Sequence, residues 1–371
     1  MFVKEFSRKG QEEQKRRNEL MLGCTRFLSG HGHQAAGRVF AELADYCAKS
    51  GAEPDNYGTG EFINSFEEQI AEMLGMEAAV FLPSGVMAQN TALRIWSDHA
   101  GVPHVAFHPT SHMEVNEQRA YAHLHNLNVT LLGDKHAPTT AQDIQKCSER
   151  IAALLIELPL RRCGGILPTW EELEAVKVAA RERGIKLHLD GARLWESQPF
   201  YGRPLKAICQ GFDSVYVSFY KGIGGLAGSI LAGSADFISE ARVWQRRHGG
   251  NLVQMHPYVV SAKINLERRI DKFGEYLKRA QSCAKALGEL DGLTLKPSLP
   301  QTPMMHVYLA REVSQIVAAR DRIAQDDRFW MGGLFFQSEI PGWTQMEIAV
   351  GDAMLNLTND EIVAAFKKLL A

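Results

Sequence analysis

No apolar run in the chain approaches the ~18 uninterrupted residues that a membrane-spanning helix needs. The start, KEFSRKGQEEQKRRNE, mixes both charge signs and has no apolar stretch of the kind a secretory leader carries. The expectation is a protein with neither span nor signal peptide. Cysteine is sparse: the residues at 24, 47, 147, 163, 209 and 283 form no C-x-x-C pair, which favours reduced thiols in a cytoplasmic protein. Neither sign of charge is in excess, with 41 Lys and Arg against 43 Asp and Glu. Nothing in that balance favours a nucleic acid or an anionic membrane as partner. Internal repeats and low-complexity tracts are missing too.

What is present suits a soluble enzyme: 371 residues, 45% hydrophobic and 23% charged, enough for one large and one small domain. The first fifty residues read as helical, with GRVFAELADYCAKSG as an amphipathic helix stopped by Gly51. A turn-rich loop, PDNYGTG, comes next and contains Tyr57. Asn64 is the expected cap of SFEEQIAEMLG, whose Phe66, Ile70 and Leu74 share one face and whose stop is Gly75. From Ala78 the pattern changes to seven short β-rich runs, at 78–82, 104–108, 128–133, 152–158, 186–190, 214–219 and 228–233. Most are separated by enough chain for a crossover helix, such as TWEELEAVKVAARERG with its Thr169–Glu172 capping box. The pattern predicts an α/β fold with a mostly parallel seven-stranded sheet, the last pair antiparallel because its connection is too short for a helix. The expected organisation is an N-terminal helical segment (1–50), a large domain (51–256), a connecting helix (257–290) with Gly274 as a possible bend, and a small α+β domain (291–371). A second capping box, Thr358 to Glu361, opens the final helix.

Two of the strands end in chemically capable groups. LHLD ends in Asp190, and SVYVSF is followed by Tyr220 and Lys221. An acid and a lysine at neighbouring strand ends suit pyridoxal phosphate, which needs a lysine amine for a Schiff base and a carboxylate to keep its pyridine nitrogen protonated. A lysine after an apolar strand and before glycines is expected to be partly dry, which favours its neutral, nucleophilic form. The run Gly222 to Ala227 also matches the G-x-G-x-x-A of dinucleotide folds, but a strand-like SILAG comes after it where that motif needs a helix. Ser84-Gly85-Val86 forms a strand-to-helix turn whose backbone N–H groups suit a phosphate. Arg193 could grip a carboxylate with two parallel hydrogen bonds. His112 falls in the loop after the second strand, where its flat ring could lie on a cofactor. His104, His108 and His112 do not share a helical face, which rejects a zinc reading.

These residues resemble the β-eliminating lyase and L-threonine aldolase family of fold-type I pyridoxal-phosphate enzymes. The resemblance is carried by DNYG (55–58), EAAVFLPSG (77–85), His112, LHLDGARLW (187–195) and SVYVSFYKGIGGLAGSILAG (214–233). It implies a fold-type I architecture and a homodimer or homotetramer with shared active sites. It further implies Lys221 as the cofactor-bearing lysine, Asp190 on the pyridine nitrogen, and His112 on the ring. Ser84, Gly85, Val86 and Tyr220 join the cofactor-binding group. Arg193, Ser29, Tyr57 and Arg161 are the expected substrate contacts. No metal is implied.

Departures from the family pattern fall mainly on the substrate side. The Ser-Asp-Thr near the family's start becomes Ser29-Gly30-His31, and its Gly-Thr phosphate turn becomes Gly85-Val86. Its Glu-Asn-Thr-His-Asn segment becomes Glu157-Leu158-Pro159-Leu160-Arg161-Arg162, whose two arginines could supply a carboxylate grip from a different side. No arginine lies between Gly332 and Ala371, where the family has a carboxylate-binding one; Glu347 is near its place. Val253 stands near a missing phosphate arginine, for which Arg246, Arg247 or His248 are candidate substitutes. The leading expectation is cleavage of a small β-hydroxy-α-amino acid to glycine and an aldehyde, with His112 as base. The alternatives are β-elimination, racemisation or transamination with the same cofactor, and a dinucleotide-binding or non-catalytic α/β protein.

Overall fold

The structure, a computed structural model, describes residues 8–371. Contacts divide the chain into two units, one of residues Ala36–Phe273 and one in which the start of the chain joins Gly274–Ala371.

The larger unit is built on a seven-stranded sheet: β1 (Ala78–Leu82), β2 (His104–Phe107), β3 (Asn128–Leu131), β4 (Ala153–Glu157), β5 (Lys186–Gly191), β6 (Ser214–Ser218) and β7 (Ser229–Gly233). All seven expected runs are strands of this one sheet, in the order β1-β7-β6-β5-β4-β2-β3. Strand β7 is antiparallel to both β6 and β1, and every other pair is parallel. The short 219–228 connection causes this, since a parallel return needs a crossover. Apolar residues run almost without interruption through β1, β4, β6 and β7 because helices cover both faces.

The helices packed on this sheet include α1 (Glu61–Leu74), α2 (Gly85–Ala100), α3 (Trp170–Glu182) and α4 (Ala235–Arg247). Phe66, Ile70 and Leu74 of α1 are buried as their spacing requires, and Phe66 meets Phe81 and Phe219 in an aromatic cluster. The start of α1 corrects the expectation. Gly60, not Asn64, is the N-cap; the Asn64 N–H donates to the Gly60 carbonyl, so Asn64 lies inside the first turns. Gly75 ends the helix in the left-handed conformation (φ 68°) that glycine adopts at little cost. Thr169 and Glu172 form the expected reciprocal cap of α3, worth about 1 kcal/mol of stability.

The stretch expected as one connecting helix is two, His256–Arg269 and Phe273–Leu287, parted by a tight turn at Ile270–Lys272 just before Gly274. The smaller unit contains a four-stranded antiparallel sheet of β8 (Leu293–Lys296), β9 (Met304–Leu309), β10 (Phe336–Gln337) and β11 (Thr344–Ala349), in the order β10-β11-β9-β8. The start of the chain belongs here because Arg26–Phe27 pairs with Phe329–Trp330, and Leu20, Met21 and Phe27 pack on Cys24, Ala324 and Trp330. The Thr358–Glu361 box caps the last helix. No described helix is long and apolar enough to cross a membrane.

Candidate active site

The carboxyl ends of β1, β2, β4, β5 and β6 lie at one edge of the sheet, where open α/β folds place their ligands. Each end supplies a distinct chemistry.

At the end of β1, Ser84 caps α2: its Oγ accepts the Met87 N–H at 3.3 Å. The N–H groups of Gly85 and Val86, which have no acceptor inside the helix, open a 16-residue helix. Glycine is required at 85 because a Cβ there would lie 2.0 Å from the Tyr216 hydroxyl. The phenol of β6 therefore closes directly over the turn.

At the end of β5, Asp190 is buried. Its Oδ1 accepts the Ala192 N–H at 3.0 Å, and its Oδ2 accepts from Gln89 Nε2, on α2, at 2.5 Å. On the neighbouring β4, Glu157 is in register with Asp190. Its Oε1 accepts the Arg161 N–H at 3.1 Å, whereas its Oε2 is buried with no hydrogen-bond partner among the described residues. Burial, and then the negative charge of Asp190, push the Glu157 carboxyl up to about 7.

Past the end of β6, the Phe219 carbonyl accepts the Gly225 N–H and the Lys221 carbonyl accepts the Gly224 N–H, folding the glycine run into a tight return. Lys221 Nζ lies 5.9 Å from the ring centres of both Tyr216 and Tyr220. Burial, and then the cationic Arg193, lower the Lys221 amine to about 8, against the opposing pull of Asp190 and Glu157. Arg161 acts on the same amine as a weaker like charge, so these groups share one electrostatic environment. Arg193 precedes the helix Leu194–Tyr201, and its Nε lies 3.8 Å from Glu196 Oε1.

His112 opens a four-residue helix after β2. Its Nδ1 lies 2.9 Å from Oε1 of the buried Glu117, whose Oε2 accepts from Asn90 Nδ2. Asn90 also donates to the Val86 carbonyl, which ties His112 to the start of α2. With Nδ1–H directed at a carboxylate, Nε2 is the nitrogen left to accept a proton.

The other expected residues are more scattered. Tyr220 and Val86 are partly exposed, and Tyr57 is exposed at a left-handed turn (φ 52°), its N–H donating to the Val253 carbonyl. Ser29 belongs to the smaller unit, where its Oγ accepts the Ala349 N–H. Glu347 is also in that unit, 3.6 Å from His306 Nε2. Leu160 is buried and bonded through its backbone to Ile166. Arg247 lies over the Trp244 ring, and His248 is turned to Thr91 and His125. Sequence reading missed Gln89, Asn90, Glu117 and Tyr216. Gln89 had one available signal, its position one helical turn after Gly85.

Residues 38–311 match the β-eliminating lyase family. The chain belongs to that family. It is 40% identical to a candidate L-allo-threonine aldolase of known structure from Listeria monocytogenes EGD-E, with a TM-score of 0.90 over 96% of this chain and 99% of that one. A candidate aromatic amino acid β-eliminating lyase/threonine aldolase from an Exiguobacterium strain gives 40% identity and a TM-score of 0.89, over 95% and 99% of the two chains. The low specificity L-threonine aldolase of Escherichia coli K12 is 30% identical over 70% of this chain and 78% of its own. A Sphingomonas wittichii serine palmitoyltransferase, at 15% identity and a TM-score of 0.69, shares the fold over 89% of this chain and 82% of its own. As for the dinucleotide reading of Gly222 to Ala227, the run leads into β7 rather than a helix, so the phosphate-binding context of that motif is lacking.

Proposed function

We propose that this family member is a pyridoxal-phosphate-dependent lyase that cleaves the Cα–Cβ bond of a small β-hydroxy-α-amino acid, giving glycine and an aldehyde. The observation that carries the reading is the pairing of a partly buried lysine amine (Lys221) with a buried, hydrogen-bonded carboxylate (Asp190) on adjacent strand ends.

The residues present fit the cofactor by their chemistry. Lys221 would hold its aldehyde carbon, Asp190 its pyridine nitrogen, and the Gly85 and Val86 N–H groups its phosphate, with Ser84 and Tyr220 beside them. When bound, the cofactor supplies a sink for the electron pair left on Cα. Arg193 binds the substrate carboxylate with its fork of donors, and Arg161 adds a second positive charge felt at the same Lys221 amine. His112 takes the β-hydroxyl proton at Nε2, held in that tautomer by Glu117. Tyr57 and Ser29 remain candidate substrate contacts.

The exposed apolar side chains of Tyr57, Tyr220, Leu226, Leu252 and Val253 support a homodimer or homotetramer with shared sites. Six scattered cysteines that form no C-x-x-C pair are in keeping with a cytoplasmic location.

Purified protein loaded with pyridoxal phosphate is expected to release aldehyde from at least one of threonine, allo-threonine and phenylserine, with glycine in equal amount. Aldehyde from none of the three would overturn the cleavage reaction and leave other chemistry on the same cofactor. The lysine makes a separate prediction. Its amine must be neutral to attack an aldehyde, and a fall from 10.5 to about 8 enriches the neutral form at neutral pH roughly 300-fold. Stopped-flow capture of the cofactor by apoprotein is expected to accelerate up to about pH 8 and level off above it. A rate still rising steeply at pH 10 would contradict a lowered amine.

A further inference from the structure

Behind Asp190 lies a continuous buried chain of hydrogen bonds that the proposed reaction does not use. Trp96 Nε1 donates to Ser214 Oγ at 2.8 Å; Ser214 Oγ lies 2.8 Å from His188 Nδ1; His188 Nε2 lies 2.9 Å from Gln89 Oε1; and Gln89 Nε2 donates to Asp190 Oδ2 at 2.5 Å. Gln89, His188, Ser214 and Asp190 are each at most 2% exposed, and Trp96 is 6% exposed. Strand and helix geometry assemble the chain: His188 and Asp190 share one face of β5, Ser214 is the register partner of His188 on β6, and Gln89 and Trp96 lie on α2.

The carboxylate end, together with a neutral imidazole, fixes the direction of the links. An indole N–H can only donate, and an ionised carboxylate can only accept. The Gln89 amide must therefore turn its NH2 to Asp190 and its oxygen to His188, which requires a proton on His188 Nε2. Full burial keeps that imidazole neutral. Nδ1 is then bare and accepts the Ser214 O–H, while one of the two lone pairs on that oxygen accepts the Trp96 N–H. Had His188 carried its proton on Nδ1, Nε2 would call for a donor, and the amide would flip its oxygen against the Asp190 carboxylate.

We propose that His188 is a positioning residue for the acid: as the neutral Nε2–H tautomer, with Nδ1 satisfied by the Ser214 hydroxyl, it holds the Gln89 amide with its NH2 turned to Asp190, so that the carboxylate keeps a fixed donor behind it while facing the cofactor's ring nitrogen. This rests on the proposed function only for what Asp190 faces; the order of donors does not depend on it. The prediction concerns two atoms of one ring. In ¹⁵N NMR of histidine-labelled holoenzyme, with the His188→Gln spectrum used for assignment, Nε2 is expected to be pyrrole-like and Nδ1 pyridine-like, unchanged from about pH 5.5 to 8.5. A proton on Nδ1, or titration near the ordinary histidine value, would overturn it. As a second readout, His188→Leu is expected to weaken cofactor binding about tenfold or more and to shift the pH titration of the bound cofactor's absorbance, since the amide is released. His188→Gln, which can still donate and accept, is expected to recover most of both. Unchanged binding and titration in His188→Leu would count against the proposal. Wild-type protein with the expected tautomer but no affinity for the cofactor would refute the proposed function instead.

Discussion

Replacing Lys221 by alanine is expected to lower turnover by more than about 10³-fold, because a covalent nucleophile is lost, and to abolish covalent attachment of the cofactor. The reason is positional. Lys221 is the amine that comes after β6, lies near the rings of Tyr216 and Tyr220, and has been made more nucleophilic by burial and by Arg193. The substitution leaves α2, the Gly85–Val86 turn and Asp190 in place, so the phosphate and ring contacts should still retain cofactor non-covalently. Addition of a small primary amine should restore part of the activity, because it supplies the missing nucleophile without the tether. Steady-state rates and dialysis of the cofactor from the variant check both points. Turnover within about tenfold of wild type would contradict the assignment of this lysine.

Asp190→Asn is expected to lower kcat by about 10²–10³-fold, with a much smaller change in KM, the size expected for loss of one preorganised electrostatic contact. The two side chains have the same shape, so packing is kept. An amide oxygen can still accept the Ala192 N–H, but its nitrogen is a donor where Gln89 already presents a donor. Neither the ring nitrogen's proton nor the Gln89 amide then has a charged acceptor. The bound cofactor's ring nitrogen should lose its proton at lower pH than in the wild type, which its absorbance titration reads directly. By contrast, Arg193→Lys is expected to act mainly on KM, because the lysine keeps the charge and loses the two-pronged grip.

Much of this arrangement was legible in the sequence because the physics was local. Central strands buried on both faces must be apolar over several residues, and that made most of the seven visible, along with the short loop that forces β7 to be antiparallel; the half-exposed edge strand β3 showed instead through its β-branched Val129 and Thr130. Asp190 and Lys221 were visible as polar residues at the ends of such strands. The boundaries of some helices were less so. Asn64 looks like a cap, yet α1 starts at Glu61 behind Gly60, and nothing in Ile270–Lys272 signals the turn that divides the connecting helices. The residues that tune the site were hidden for a different reason. Gln89 meets Asp190 across 101 positions of chain, and Asn90 meets Glu117 across 27, so their partners exist only once the sheet is assembled. His188 was half-visible: two residues before Asp190 on a strand, it had to face the same way.

The most direct test of Lys221 as the cofactor-bearing lysine is to reduce the cofactor-loaded protein with borohydride and map the modified peptide by mass spectrometry. One pyridoxyl adduct is expected, on Lys221, and none in Lys221→Ala. An adduct on a different lysine, or no adduct at all in protein that binds the cofactor, would contradict it.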